Sequence, residues 1–166
     1  MPDAAAPDSV VDEFWASSLD LYARPGVAAA CLRLQDERGL DVNLLLLCCW
    51  FARSGRGRLS EDDLAAAEAR AANWRRDVIE PLRAMRRELK GLPDGASSPL
   101  YVELKQLELR AEREEQRLLL AGSFGRRSIV SAVQGDLAAN LDLYLARHGH
   151  STDLGADLIS AMPSTA

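Results

Sequence analysis

Apolar residues recur along this chain at spacings of three and four, and no alternating period persists, so the pattern predicts helices throughout. Val10, Val11, Phe14, Ser18, Leu21 and Tyr22 trace one face of a first helix, with Asp8 or Ser9 as the expected N-cap. Pro25-Gly26 closes that helix and opens a second, whose stripe is Val27, Ala30, Cys31 and Leu34. Its end is expected at Gly39, since glycine takes a left-handed cap without strain. Asp41 then opens a third helix that is apolar without a break over residues 44–52. A helix apolar on every side is either a membrane span or the centre of a core. A span needs about 20 such residues. Central burial is therefore expected.

Ser60 is a strong N-cap with Asp63 three residues on. Leu64, Ala67, Ala71, Trp74, Val78, Leu82, Met85 and Leu89 follow as the longest regular stripe, interrupted by Pro81. A helical proline removes a hydrogen bond and clashes with the preceding turn. A kink or break is therefore predicted near Glu80. Residues 91–99 are rich in Gly, Pro and Ser and read as a loop. Leu100, Leu104, Leu107, Ala111, Glu114, Leu118 and Ala121 form the next stripe, with Glu114 its one polar interruption. After a turn at 122–125, a last main helix is expected over about 127–148, faced by Ile129, Val133, Leu137, Leu141 and Tyr144. The expected architecture is all-α: a compact single-domain bundle of five to seven helices around a buried central helix at about 41–53. Residues 1–8 are expected as a disordered tail, 9–148 as the domain, and 149–166 as a flexible tail holding one weak amphipathic turn around Leu154, Leu158 and Ile159.

Composition removes several function classes. Hydrophobic residues make up 48% of 166, which excludes wholesale disorder, and three cysteines are too few for a disulfide scaffold. Acids outnumber bases 25 to 20, so a globally cationic nucleic-acid binder is not indicated. Cations do gather locally: Arg70, Arg75, Arg76, Arg83, Arg86, Arg87 and Lys90 face only Asp77, Glu80 and Glu88 in the same stretch. The opening Met-Pro-Asp-Ala-Ala-Ala-Pro has neither a basic nor a hydrophobic leader region, so a cytoplasmic location is expected. There, Cys31, Cys48 and Cys49 read as reduced, buried thiols.

Two stretches could carry a site. Gln35, Asp36, Asp41 and Asn43 place polar groups in a tight loop between two apolar helices. They read either as helix caps or as the polar floor of an interhelical pocket. Arg83, Arg86, Arg87 and Lys90, with Arg75 upstream, share a helical ridge. That ridge suits anions, or pairs with the acids of the following helix. No Walker loop accompanies it. The acids Glu103, Glu108, Glu112, Glu114 and Glu115 lack the Glu-x-x-His pair of a bundle metal site, and His148-Gly149-His150 lacks further ligands. Neither metal nor cofactor is expected. Cys48-Cys49 has no C-x-x-C spacing and no neighbouring histidine. Asn140, on the apolar face beside Tyr144, either locks helix register or faces a ligand with it.

Phe14-Trp15, Ser18-Leu19, Leu21-Tyr22, Pro25-Gly26-Val27, Leu34-Gln35-Asp36, Gly39, Asp41-Val42-Asn43 and Cys49-Trp50 together resemble a bacterial family of short cytoplasmic proteins, domain of unknown function 2390. Trp74-Arg75, Pro81-Leu82-Arg83, Arg86-Arg87, Lys90, Glu108-Leu109 and Glu112-Arg113 extend the likeness, which covers roughly 14–120. It implies a single helical domain and a bacterial origin, and transfers no catalytic residue. With no catalytic set in the sequence, the reading leans away from an enzyme. It favours a cytoplasmic module for a protein or ribonucleoprotein partner, bound through the Arg75–Lys90 ridge and the Gln35–Asn43 loop. The alternative is an enzyme or small anionic-ligand binder whose pocket gathers Gln35, Asp36, Asp41 and Asn43 with Arg83, Tyr101 and Tyr144. Direct RNA binding is disfavoured by the acidic balance and the few aromatics. No membrane contact is expected. A homodimer is expected if the leucines of 100–121 prove exposed.

Overall fold

The computed structural model describes residues 5–122 and 135–160. They form α1 (Asp8–Tyr22), α2 (Val27–Arg38), α3 (Val42–Arg53), α4 (Glu61–Trp74), α5 (Glu80–Gly91), α6 (Pro99–Leu119), α7 (Asp136–Arg147) and α8 (Ala156–Ser160). There is no strand among the described residues. A π-turn, Arg75–Ile79, joins α4 to α5. Counted as one rod, that stretch leaves seven helices among the described residues.

The centre is α3. Every residue from Val42 to Ala52 is buried, and Leu45, Leu47, Cys48, Cys49 and Phe51 are completely inaccessible. Phe14 of α1 stacks on Trp50 at 5.0 Å, and Leu141, Tyr144 and Leu145 of α7 join the same core. Arg56, just beyond α3, lies 4.1 Å from the Trp50 ring and makes two 2.9 Å bonds to Glu13 of α1. A smaller cluster of Ile79, Leu82 and Ala111 lies beneath α5 and α6.

The caps follow the sequence. Asn43 N donates to Asp41 Oδ1 at 2.8 Å, Gly39 is left-handed at φ 66°, and Ser60 with Asp63 forms a reciprocal capping box. α1 departs from expectation: it starts at Asp8, with Pro7 in the cap position and no side-chain cap. Arg70 of α4 donates to the Leu118 and Leu119 carbonyls and so closes the C-terminus of α6. Asn140 serves the loop after α3. Its Oδ1 accepts from Leu59 N at 2.8 Å, and its Nδ2 donates to the Cys48 and Gly57 carbonyls.

Two local expectations need correction, and a third takes a definite form. The irregularity expected near Glu80 is present as a π-turn, with α-helix on both sides of it, and it lies next to Pro81. The π-turn comes just before it, with Glu80 N donating five residues back to Arg75 O, and the widened turn takes up the irregularity that a proline imposes. The buried face of α6 is not the predicted leucine stripe. Glu108, Ala111, Glu115, Gln116 and Leu119 point inward, whereas Leu100, Val102, Leu107 and Leu109 are about half exposed. The amphipathic turn expected around Leu154, Leu158 and Ile159 is present as a 3-10 turn and α8, and in place of a free tail Leu158 is fully buried in the main core. At the other end, Ala6 is also part of that core. The expected turn at 122–125 and the N-terminal part of the last main helix, with Ile129 and Val133, lie largely outside the described residues.

Burial holds the three thiols in their neutral form: Cys31 is pushed up to about 12, and Cys48 and Cys49 well above their ordinary value. Leu45→Ala opens a hole at the middle of the bundle, so it is expected to lower unfolding free energy by about 2–5 kcal/mol, measured by urea denaturation.

Candidate functional site

A cavity of about 530 Å³ is lined by α1, α2, α3, α5 and α6. Its polar residues include Gln35, Asn43, Arg83, Arg86 and Tyr101, so five of the sequence candidates meet in one place. Residues that the sequence did not single out as a site complete it: Ser18, Lys105, Glu108, Glu112 and Gln116. Trp15, Leu19, Leu32 and Leu109 add an apolar lining, and of these the three leucines are exposed. The site thus has a polar floor and a greasy mouth.

The helices dictate this arrangement. α5 and α6 lie against each other, and the arginines of one face the carboxylates of the other. Arg83 Nε donates to Glu108 Oε1 at 3.2 Å and its Nη2 to Glu112 Oε1 at 2.8 Å. Arg86 donates to both oxygens of Glu108. Burial pushes the Glu112 carboxyl up, and Arg83 opposes that push. Three cations, Arg83, Arg86 and Lys105, stand among the lining residues against two carboxylates. Lys105 has no ion-pair partner among the described residues. Its ammonium lies 6.0 Å from the Tyr101 ring centroid.

The floor is a chain of hydrogen bonds. Gln116 Nε2 donates to Ser18 Oγ at 3.0 Å and to Asn43 Oδ1 at 2.9 Å. Ser18 Oγ donates in turn to the Phe14 carbonyl. Asn43 Nδ2 donates to Glu115 Oε2. Glu115 is held protonated well into the alkaline range, its carboxyl pushed up to about 9. Burial is the largest cause, followed by the Asp41 carboxylate and a hydrogen bond to it. Glu115 Oε1 is buried and has no hydrogen-bond partner, which agrees with a carboxyl that burial keeps neutral.

Asp41 leads out of the chain to a second groove. It holds an ion pair with Arg75 at 3.2 Å, and its backbone N–H donates to Tyr144 Oη at 2.9 Å. Asp41, Arg75 and Tyr144, with Glu68 and His148, line this groove of about 420 Å³. The residues gathered in the alternative sequence reading are therefore divided between two places. Asp41 and Tyr144 are engaged in the cap of α3 and cannot also face the larger cavity. Asp36 lies outside both, exposed and paired with exposed Arg87 at 3.1 Å. Lys90 is exposed and lines neither. Of the expected cationic ridge, Arg83 and Arg86 turn inward to carboxylates. No group of three or more His, Cys, Asp or Glu side chains suited to hold a metal ion occurs among the described residues.

The missed floor residues left a trace. Glu108, Ala111, Glu115 and Leu119 repeat at three and four, as the leucines of the same helix do. Two stripes compete in one segment, and periodicity alone cannot choose between them.

Glu115 sets a pH dependence whose sign follows from its raised value. Below about 4.5 the carboxyl is protonated in both the folded and the unfolded chain. Between about 4.5 and about 9 only the unfolded chain ionises, so stability falls as pH rises through that window. Glu115→Gln supplies a permanent donor toward Asp41 and an acceptor for Asn43. It is expected to raise stability by roughly 1–3 kcal/mol at pH 8 relative to wild type, with little gain at pH 4.5. Thermal melts of both proteins across this range check it.

No match is found among curated proteins or among solved structures. A family model does match, over residues 13–119, well over half of the chain and inclusive of every residue that lines the larger cavity. By that match, the chain belongs to the family described as protein of unknown function (DUF2390).

Proposed function

We propose that this protein is a binding domain whose site is the larger cavity, and that its ligand is a small amphipathic anion. The observation that carries this reading is the convergence of Gln35, Asn43, Arg83, Arg86 and Tyr101, from four helices, on one cavity of about 530 Å³. That volume lies in the ordinary range for small-molecule sites. The excess of one cation over the carboxylates favours a negative group, and the exposed Leu19, Leu32 and Leu109 favour an apolar body beside it. Among the described residues the lining holds no nucleophile–base set, which supports binding over catalysis.

A suitable probe is 6-anilinonaphthalene-2-sulfonate, an apolar anion whose fluorescence rises on leaving water. Saturable one-to-one binding is expected. Lys105→Glu reverses the charge of the cation without an ion pair at the cavity and is expected to weaken binding roughly tenfold. Lys90→Glu makes the same charge change away from the cavity and leaves the affinity as it is. Absence of saturable binding, or equal losses from the two variants, sinks the reading.

A protein-interaction role is the second reading, and one observation favours it: Leu100, Val102 and Leu107 are about half exposed along α6. A second copy of the chain is the simplest occupant of such a face. The basic ridge supports this role less, with Arg83 and Arg86 already paired internally. Sedimentation velocity is expected to show a dimer for wild type and a monomer for Leu107→Glu. A wild-type monomer at high concentration excludes the self-association form.

A further inference from the structure

The larger cavity is long for its volume. On α6 it is lined by Tyr101, Lys105, Glu108, Leu109, Glu112 and Gln116, whose spacing keeps to one face of the helix. From Tyr101 to Glu112 that face runs roughly 16 Å, at about 1.5 Å of rise per residue. A volume of about 530 Å³ drawn out over such a length leaves a mean cross-section of roughly 30 Å². One extended hydrocarbon chain fits that width with little room to spare, and two side by side overfill it.

The charge along this groove is uneven. Lys105 stands one turn from Tyr101, with no ion-pair partner among the described residues. Arg86 gives Nε and Nη2 to Glu108, which leaves its Nη1 without a carboxylate partner among the described residues. Tyr101 lies beside the same guanidinium. Further along, Arg83 is taken up by Glu108 and Glu112. Below it, Ser18, Asn43 and Gln116 are bonded to one another and buried. The positive charge open to a ligand is therefore that of Lys105 and Arg86, at the Tyr101 end. The remaining floor is engaged within the protein and asks for no further polar group. Over it the mouth is apolar: Leu19, Leu32 and Leu109 are about half exposed, with Trp15 in the same lining. Covering such a surface with an apolar molecule is favourable.

On the reading of this cavity as the ligand site, we infer that the ligand is a fatty acid, a single unbranched chain whose carboxylate meets Lys105 and Arg86 and whose tail lies along Trp15, Leu19, Leu32 and Leu109. Arginine Nη1 and a lysine ammonium suit a carboxylate. An extended chain advances roughly 1.3 Å per methylene, the projection of a carbon–carbon bond of about 1.5 Å. About a dozen carbons therefore fill the groove. A longer tail runs out into water, and a lipid with two chains is too wide.

Displacement of bound 6-anilinonaphthalene-2-sulfonate by straight-chain carboxylates, each below its micelle concentration, tests this. A methylene taken wholly out of water tightens binding about fourfold, and one covered on one side about twofold. Dodecanoate is therefore expected to bind wild type roughly tenfold more tightly than octanoate. Hexadecanoate is expected to gain no more than about twofold over tetradecanoate, because its added carbons lie beyond the groove. Leu32→Asn with Leu109→Asn, both at exposed positions, is expected to flatten the rise from octanoate to dodecanoate. Lys105→Glu is expected to weaken every acid by the same factor and leave the rise as it is. Vesicles of phosphatidylglycerol are expected not to displace the probe. No displacement by the acids, a wild-type affinity that ignores chain length or climbs unbroken to hexadecanoate, an unflattened rise in the double variant, or displacement by the vesicles overturns the inference and leaves the cavity reading in place. Failure of the naphthalene probe itself to bind wild type overturns the cavity reading, and the inference falls with it.

Discussion

The structure turns on one carboxylate. Asp41 is 4% exposed, at the point where the all-buried helix α3 begins. A helix encased on all sides has no water at its N-terminus, so its free amides must be met by protein. Asp41 meets one through Asn43 N, and so the burial of α3 forces a negative charge into the interior. The rest of the molecule answers that charge. Arg75 approaches from the π-turn, Glu115 from α6 brings a proton, and Tyr144 from α7 takes the Asp41 N–H. Four segments distant in sequence are thus located against one another by the needs of a single cap.

The same constraint explains two irregularities. An ordinary α-helix running through residues 75–81 would set Pro81 against the carbonyl of Asp77. The π-turn avoids this, and Arg75, at its first position, is the residue that reaches Asp41. The inversion of α6 has a related cause. Arg83 and Arg86 lie on the face of α5 that packs against α6, and a half-buried guanidinium without a carboxylate is far less favourable than a half-exposed leucine. Glu108 and Glu112 therefore turn inward, and Leu107 and Leu109, set on other faces of the same helix, turn out. The rule that apolar residues go inside yields here to the stronger requirement that partly buried charges be paired.

Those conflicts mark where the sequence could be read and where it could not. The central helix, the Asp41 and Ser60 caps and the Gly39 stop were legible because each depends on neighbours within a few residues. A nine-residue apolar run has one place to go, and Ser60 with Asp63 closes a box by itself. The polar lining of the larger cavity was legible as a group of residues, since Gln35, Asn43, Arg83, Arg86 and Tyr101 do come together. It was not legible as a geometry. The sequence offered Asp36 and Asp41 on equal terms, but one is exposed beside Arg87 and the other is buried, capping α3 and paired with Arg75. Glu115 and Gln116 were hidden for a different reason. Their burial depends on which of two stripes of α6 faces inward, and that was decided by arginines roughly 30 positions earlier in the chain.

The polar floor is a poor way to stabilise a bundle. Well-packed apolar side chains at Asn43, Glu115 and Gln116 would avoid the burial of a carboxyl and an unpartnered amide oxygen, and such replacements of buried polar groups are often neutral or stabilising. Part of the arrangement has a structural explanation, because Asp41 needs a proton donor and Glu115 supplies it. That explanation stops at Asn43, which already gives Glu115 its hydrogen bond. Gln116 extends the chain one member further, to Ser18 of α1, and leaves its own buried Oε1 without a partner. The extension does nothing for the cap of α3. Its physical effect is to fix α6 against α1 and α3 at once, since a single buried amide holds Ser18 of the one and Asn43 of the other.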